Sequence, residues 1–441
     1  MHGLGRIVAL ALLAAWAWCG PWGAEIGQSA RPEPEQVLHA WYGLVLELVR
    51  HTPTYSPPVA ARAFAYLGVT AFEAAASGSG KLRSLAGQLN GLTPGPQREP
   101  GHAYDEAVVV NAALTVAAQN FFTHTGPTGQ RALTAMAKRT SAKVSTGIPD
   151  DVAARSEAYG RAVAAHILAW SQGDGGADIE NMGFPLEYQL NPGPGHWVPT
   201  STIAQQQLPL LPKWGSNRTF AMPDGAACSL PPPLAYSEVP DSAFYKEAME
   251  VYQTVNSLTP EQRAIARFWS DDPMLSPTPP GHWISIALEV LEREQAGLDR
   301  SVDTLARVGV AMADAFIGCW NAKYEYDLVR PVTYIKRLID KKWEALLITP
   351  PFPEYPSGHS TQSGAAAVVL AKLFGDSYAF EDHTHEADGL IPRSYPSFWA
   401  AAEEAGISRL YGGIHFRTAI ERGLEQGKCV GAYVNALQTR K

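Results

Sequence analysis

Pro351-Phe352-Pro353-Glu354-Tyr355-Pro356-Ser357-Gly358-His359 runs straight into a stretch of mostly small and apolar residues, Ser360 to Phe374. Proline at 351, 353 and 356 excludes helix up to that point. Ser357 is a good N-cap and no proline follows before Phe374, so the spacing predicts a helix with Gly358 and His359 in its first turn. A helix N-terminus carries unpaired N–H groups and the positive end of the macrodipole. With a serine hydroxyl and an imidazole beside it, it can hold a tetrahedral oxyanion.

A serine N-cap followed by Gly-His is commonplace by itself. Two further segments give it weight. Upstream lies Lys323-Tyr324-Glu325-Tyr326-Asp327-Leu328-Val329-Arg330-Pro331, a lysine and an arginine separated by six residues, with Pro331 expected to mark a helix end. Downstream lies Ser408-Arg409-Leu410-Tyr411-Gly412-Gly413-Ile414-His415, an arginine and a histidine on either side of a diglycine break. If Lys323, Arg330 and Arg409 converge, three cations face one pocket, and buried cations demand an anion or protein carboxylates. A tetrahedral oxyanion such as phosphate matches in charge and shape, and arginine meets its oxygens as a planar fork. The competing reading is three unrelated salt bridges.

Taken in order, the three blocks resemble the signature of the vanadium-dependent haloperoxidase and type 2 phosphatidic acid phosphatase superfamily: K-x6-R-P, then P-S-G-H, then S-R-x5-H-x3-D. The resemblance covers roughly the last 180 residues closely, with the motifs inside 262–425, and implies an all-α fold of helical bundles with long irregular connections. It implies that Lys323, Arg330, Ser357, Gly358 and Arg409 bind the oxyanion. His415 would be the axial ligand of vanadate in a haloperoxidase, or the nucleophile forming a phosphohistidine in a phosphatase. His359 would be the acid/base, a task suited to a side chain titrating near neutrality. In the haloperoxidase reading, Lys323 polarises hydrogen peroxide and a halide is oxidised to hypohalous acid that reaches an organic acceptor.

Trp320 and Phe352 look like the aromatic wall of the halide pocket in chloride-oxidising members, and Asp272 resembles the carboxylate that pairs with the last arginine, here Arg409. These matches favour haloperoxidase over a metal-free acid phosphatase acting on a phosphate ester. One position departs: four residues after His415 the wider signature has Asp, and this chain has Ala419. That Asp would accept a hydrogen bond from the distal ring nitrogen and fix the tautomer. Glu421 would lie on another helical face and is not expected to replace it. The departure motivates a third reading, a non-catalytic oxyanion-binding protein, against which His359 speaks.

At 441 residues with 46% hydrophobic content the chain can bury a sizeable core, and a net charge of −8 argues against a nucleic-acid surface. Residues 1–24 read as a signal peptide, with Arg6 before the apolar run Ile7 to Trp18, and no later stretch is expected to span a bilayer. The mature protein, a single domain over 34–441, is then expected to be secreted or periplasmic, without a stable membrane anchor. Family members often form dimers. Beyond Cys19, the residues Cys228, Cys319 and Cys429 allow one disulfide with a free thiol or three buried thiols. Proline-rich residues 173–241 carry enough tryptophan and tyrosine to be read as an ordered wrapping segment. Glu381-Asp382-His383-Thr384-His385-Glu386 reads as an exposed, solvated turn, with cation binding as the alternative.

Overall fold

Periodic apolar residues, proline at helix starts and polar N-caps divide the chain into thirteen α-helices among the described residues. The structure is a computed structural model and describes residues 31–177, 183–185, 187–201, 207–272 and 276–441. The proposed signal segment lies outside them. Residues Pro32–Lys441 form one compact unit.

Helix α1 (Pro34–Arg50) begins with proline and a capping box between Glu33 and Gln36, and buries Val37, Leu38, Trp41, Val45 and Val49 on one face. Helix α2 (Pro57–Ala76) is buried on nearly every side. By length and composition it is the one helix among the described residues long and apolar enough to cross a membrane, and 94% of its most apolar 18 residues lie inside the protein, as in a core helix. Helices α3 (Glu106–Phe121), α4 (Gly126–Val144) and α5 (Asp150–Ser171) complete the N-terminal layer. Helices α6 (Ala243–Asn256), α7 (Pro260–Phe268) and α8 (Thr278–Arg293) follow. The Pro279-Pro280 pair sits inside the first turn of α8, where missing N–H groups cost nothing.

The 29-residue α9 (Leu298–Tyr326) is the central strut, packed along α2. A Cβ on Gly68 would come within 2.8 Å of the Ala306 backbone, which shows how closely the two helices cross. Asp327, in the left-handed region at φ 47°, closes α9. Pro331 then starts α10 (Pro331–Leu338) rather than ending a helix, so Lys323 and Arg330 belong to different helices.

Helix α11 (Gly358–Phe374) lies against α13 (Arg417–Asn435) through small residues. A Cβ on Gly427 would meet the Thr361 carbonyl at 2.4 Å. Between them come a two-stranded antiparallel hairpin, β1 (Phe380–Asp382) with β2 (Arg393–Tyr395), and α12 (Phe398–Tyr411), neither resolved from the sequence.

Within 173–241, the described residues wrap the C-terminal end of α9. Trp197 and Leu210 donate backbone N–H bonds to the Asp327 and Pro351 carbonyls, and Phe220, Ala221 and Met222 donate to the buried Asp314 carboxylate. Cys228 and Cys429 form a disulfide with a sequence separation of 201, leaving Cys319 as a buried thiol. Closing so long a loop restricts the unfolded chain strongly, so the Cys228→Ser/Cys429→Ser double variant is expected to lose about 3–5 kcal/mol of stability in denaturant melts.

Candidate active site

Five helix ends meet around one buried pocket: the C-terminal turns of α9 and α12, and the N-terminal turns of α10, α11 and α13. Each supplies what its end geometry makes available. Trp320 and Lys323 come from the end of α9, Arg330 is the N-cap of α10, and Ser357 is the N-cap of α11 with its side chain accepting from the Ser360 N–H. Arg409 sits in the last turn of α12, and His415 lies in the short link before α13. Lys323, Arg330 and Ser357 are fully buried, and Arg409 and His415 nearly so.

His415 is held from both sides. Its Nδ1 lies 2.8 Å from Glu354 Oε1, and its Nε2 lies 3.2 Å from Arg330 Nη1. A guanidinium can only donate, so Nε2 is the acceptor and Nδ1 carries the proton given to Glu354. Burial, then Arg330 and Lys323, push the His415 pKa well below 6.5, so the ring is neutral with a lone pair on Nε2.

Glu354 therefore does what the expected Asp at position 419 would have done. Ala419 instead accepts the Ser357 N–H on its backbone carbonyl at 3.0 Å. The doubt that Ala419 raised about the orientation of His415 is removed by a carboxylate standing inside the proline-rich stretch itself. Glu354 Oε1 also takes the Phe416 N–H at 2.9 Å. Burial raises the Glu354 carboxyl to about 8 against the opposing pull of Arg330 and Lys323.

Arg330 spends Nε on the Phe352 carbonyl and Nη1 on the Ile414 carbonyl, while its buried Nη2 has no hydrogen-bond partner among the described residues. Arg409 bonds Ser408 Oγ through Nε and the Trp269 carbonyl through Nη2. Burial lowers both guanidinium pKa values to about 10, which leaves them charged at neutral pH.

Lys323 is tied to the proline-rich turn. Its Nζ donates to the carbonyls of Pro353, Glu354 and Pro356 at 2.8, 3.0 and 2.5 Å, so its three protons hold the proline-rich turn. Burial lowers its pKa to about 7.

Trp320 and Phe352 meet with ring centroids 4.9 Å apart, and Phe352 lies 5.1 Å from Lys323 Nζ and 5.0 Å from Arg330 Cζ. The two rings wall the cationic pocket on its apolar side.

His359 is partly exposed, with Nε2 3.6 Å from Asp271 Oδ2. Burial and the neighbouring Arg409 lower its pKa to about 4. Asp271 was missed in favour of Asp272. Asp272 is half-buried and forms no direct ion pair with Arg409 among the described residues; Asp271 exerts the larger Coulombic pull on that arginine. Asp271 adopts φ 50°, a left-handed conformation that a short polar side chain tolerates, and this turns its carboxylate inward.

Asp271 also touches two histidines. His282 Nδ1 lies 2.9 Å and His385 Nε2 3.3 Å from Asp271 Oδ1. Asp382 and His385 are buried, so the 381–386 stretch is not the solvated turn expected from sequence. His383 alone of its two histidines is exposed.

Residues 303–440 match a protein family described as the VCPO second helical-bundle domain. The vanadium chloroperoxidase of Curvularia inaequalis is 26% identical over 255 residues, 42% of this chain and 42% of that protein, so the match spans less than half of that relative's length. A solved structure described as the first bacterial vanadium-dependent iodoperoxidase is 38% identical, with a TM-score of 0.84 over 92% of this chain and 97% of that one. A bacterial vanadium-dependent chloroperoxidase in its holo form, 16% identical, shares the fold at a TM-score of 0.69 over 92% and 96%. The helical-bundle match and the 38% identity over nearly the full described length place this chain in the vanadium-dependent haloperoxidase family.

Proposed function

We propose that the protein is a vanadate-dependent haloperoxidase that uses hydrogen peroxide to oxidise a halide to hypohalous acid, which then reacts with an organic acceptor. The observation that carries this reading is the buried, neutral His415 presenting an unprotonated Nε2 beside Arg330, whose buried Nη2 lacks a partner. A tetrahedral oxyanion fits this set of groups: an unprotonated imidazole nitrogen, two charged guanidinium groups, and the N-terminal end of α11 at Gly358.

Bound vanadate supplies Lewis acidity that activates hydrogen peroxide without change of oxidation state. The chain supplies the rest. Glu354 holds the Nδ1–H tautomer of His415. Arg330 and Arg409 balance anionic charge where water is scarce. His359, neutral above about pH 4, can accept the peroxide proton on the ring nitrogen not turned toward Asp271 and return it to the departing oxygen. Trp320 and Phe352 exclude water from the halide side.

Iodide is the halide proposed to turn over fastest. It is the most easily oxidised of the three common halides, and the relative at 38% identity is described as an iodoperoxidase. Export to an oxidising compartment is part of the proposal, supported by the N-terminal apolar run and the Cys228–Cys429 disulfide.

The test is a paired assay. Protein loaded with vanadate receives peroxide with iodide, bromide or chloride, and metal-free protein receives a chromogenic phosphate ester. Halogenation that requires vanadate and is inhibited by phosphate is expected. Ester hydrolysis inhibited by vanadate, with no halogenation, would make the protein a phosphatase instead.

Glu354→Gln probes the tautomer directly. Glutamine keeps an acceptor oxygen but cannot ionise as the ligand binds, and loss of such an orienting carboxylate typically costs 10–100-fold in affinity or activity. Vanadate affinity by equilibrium dialysis is expected to fall in that range. An unchanged affinity would show that Glu354 does not set the basicity of His415.

A further inference from the structure

We propose that Asp271, His282 and His385 form a binding site for a divalent transition-metal ion of the zinc type, separate from the oxyanion pocket. Two segments near one another in sequence and a third 114 residues after Asp271 bring these groups together. Asp271 lies just after α7, His282 in the first turns of α8, and His385 in the loop after β1. Their ligand atoms, a carboxylate oxygen, an Nδ1 and an Nε2, all lie within 4.8 Å of one another, and all three residues are buried. Two imidazoles and one carboxylate are a donor set suited to first-row divalent metals.

The outer contacts point the same way. A metal-bound imidazole usually gives its far N–H to a carboxylate, which fixes the ring. Both rings here have that partner: His282 Nε2 lies 2.8 Å from Asp382 Oδ2, and His385 Nδ1 lies 3.2 Å from Asp388 Oδ2. Arg50 in turn pairs with Asp388. Trp269 stacks on His282 at 4.3 Å, and Phe268 meets both imidazoles edge-on at 5.5 and 5.2 Å, so neither ring is free to turn. Asp271 Oδ2 is buried and without a hydrogen-bond partner among the described residues, available as a fourth ligand atom.

Each imidazole lies between two carboxylates, with the nitrogen facing Asp271 on the inner side and the other nitrogen facing Asp382 or Asp388 on the outer side, the orientation that a cation held between the inner atoms requires. The site does not depend on the haloperoxidase reading. Its one link to the oxyanion pocket is Asp271, which also faces His359.

The experiment uses the purified full-length protein, stripped with a chelator and free of vanadate, then dialysed against Zn2+ or Co2+. One equivalent of Zn2+ per chain is expected to remain bound. His385→Gln should weaken it at least 100-fold and Asp388→Asn about 10–100-fold, as loss of an orienting carboxylate does. His383→Ala, which removes only the exposed neighbouring imidazole, should leave it unchanged. Should His385→Gln fail to fold, the Co2+ spectrum of the wild-type protein decides. Intense visible bands of a four-coordinate nitrogen and oxygen site support the proposal, and weak bands of a hydrated ion overturn it. Folded wild-type protein that retains no metal, or metal that is lost with His383→Ala and kept with His385→Gln, also overturns it.

Discussion

Lys323→Met is expected to lose roughly 2–4 kcal/mol of stability as well as activity. Methionine fills the volume but leaves the carbonyls of Pro353, Glu354 and Pro356 buried without a donor. Each orphaned acceptor costs about 1–3 kcal/mol, partly offset because an unfavourably buried ammonium is removed. A denaturant midpoint measured beside the halogenation rate separates two roles. If stability and activity fall together, Lys323 acts by holding the turn that carries Phe352, Glu354 and Ser357. If activity is lost at unchanged stability, its protons serve the bound ligand instead, as the family resemblance implies.

His359→Ala is expected to cut halide oxidation about 10²–10⁴-fold, the range for losing a general acid/base, while vanadate affinity changes only a few-fold. Unchanged turnover would remove His359 from the mechanism. The same residue gives an electrostatic check in the ligand-free protein. Burial and Arg409 lower its pKa to about 4, and an oxyanion placed beside it favours the imidazolium. Its NMR titration midpoint should therefore rise from about 4 when inorganic phosphate binds. A midpoint that stays put would place His359 outside the oxyanion's reach.

The sequence revealed most where chemistry constrains residue type and spacing together. Ser357 caps α11 as the preceding prolines demand, and Arg330, Arg409 and His415 converge as their two blocks implied. Helices α1, α2 and α7 open at prolines or caps that are plain in the chain. What stayed hidden depends on distance in space. Glu354 was quoted in the first motif, yet nothing local says that its partner lies 61 residues away. Asp271 and Asp272 are adjacent and chemically alike, and only a left-handed backbone decides which one turns inward. Pro331 misled for a simpler reason. Proline ends one helix and begins the next with equal ease, and periodicity alone cannot say which. His385 looked solvated because its neighbours Glu381, His383 and Glu386 are; a turn in a surface loop carries one side chain inward and its neighbours out.

The Cys228–Cys429 bond makes residues 228–429 a closed covalent ring, and every residue assigned to the oxyanion pocket or the proposed metal site lies on it. Helices α1–α5 lie on the open arm outside. A single backbone cut at any point on the ring leaves one connected molecule whose two new ends are still tied through sulfur, whereas a cut in the arm releases a fragment. An enzyme that generates a diffusing oxidant has thereby put its own working parts on the one portion of chain that can be broken once and still hold together.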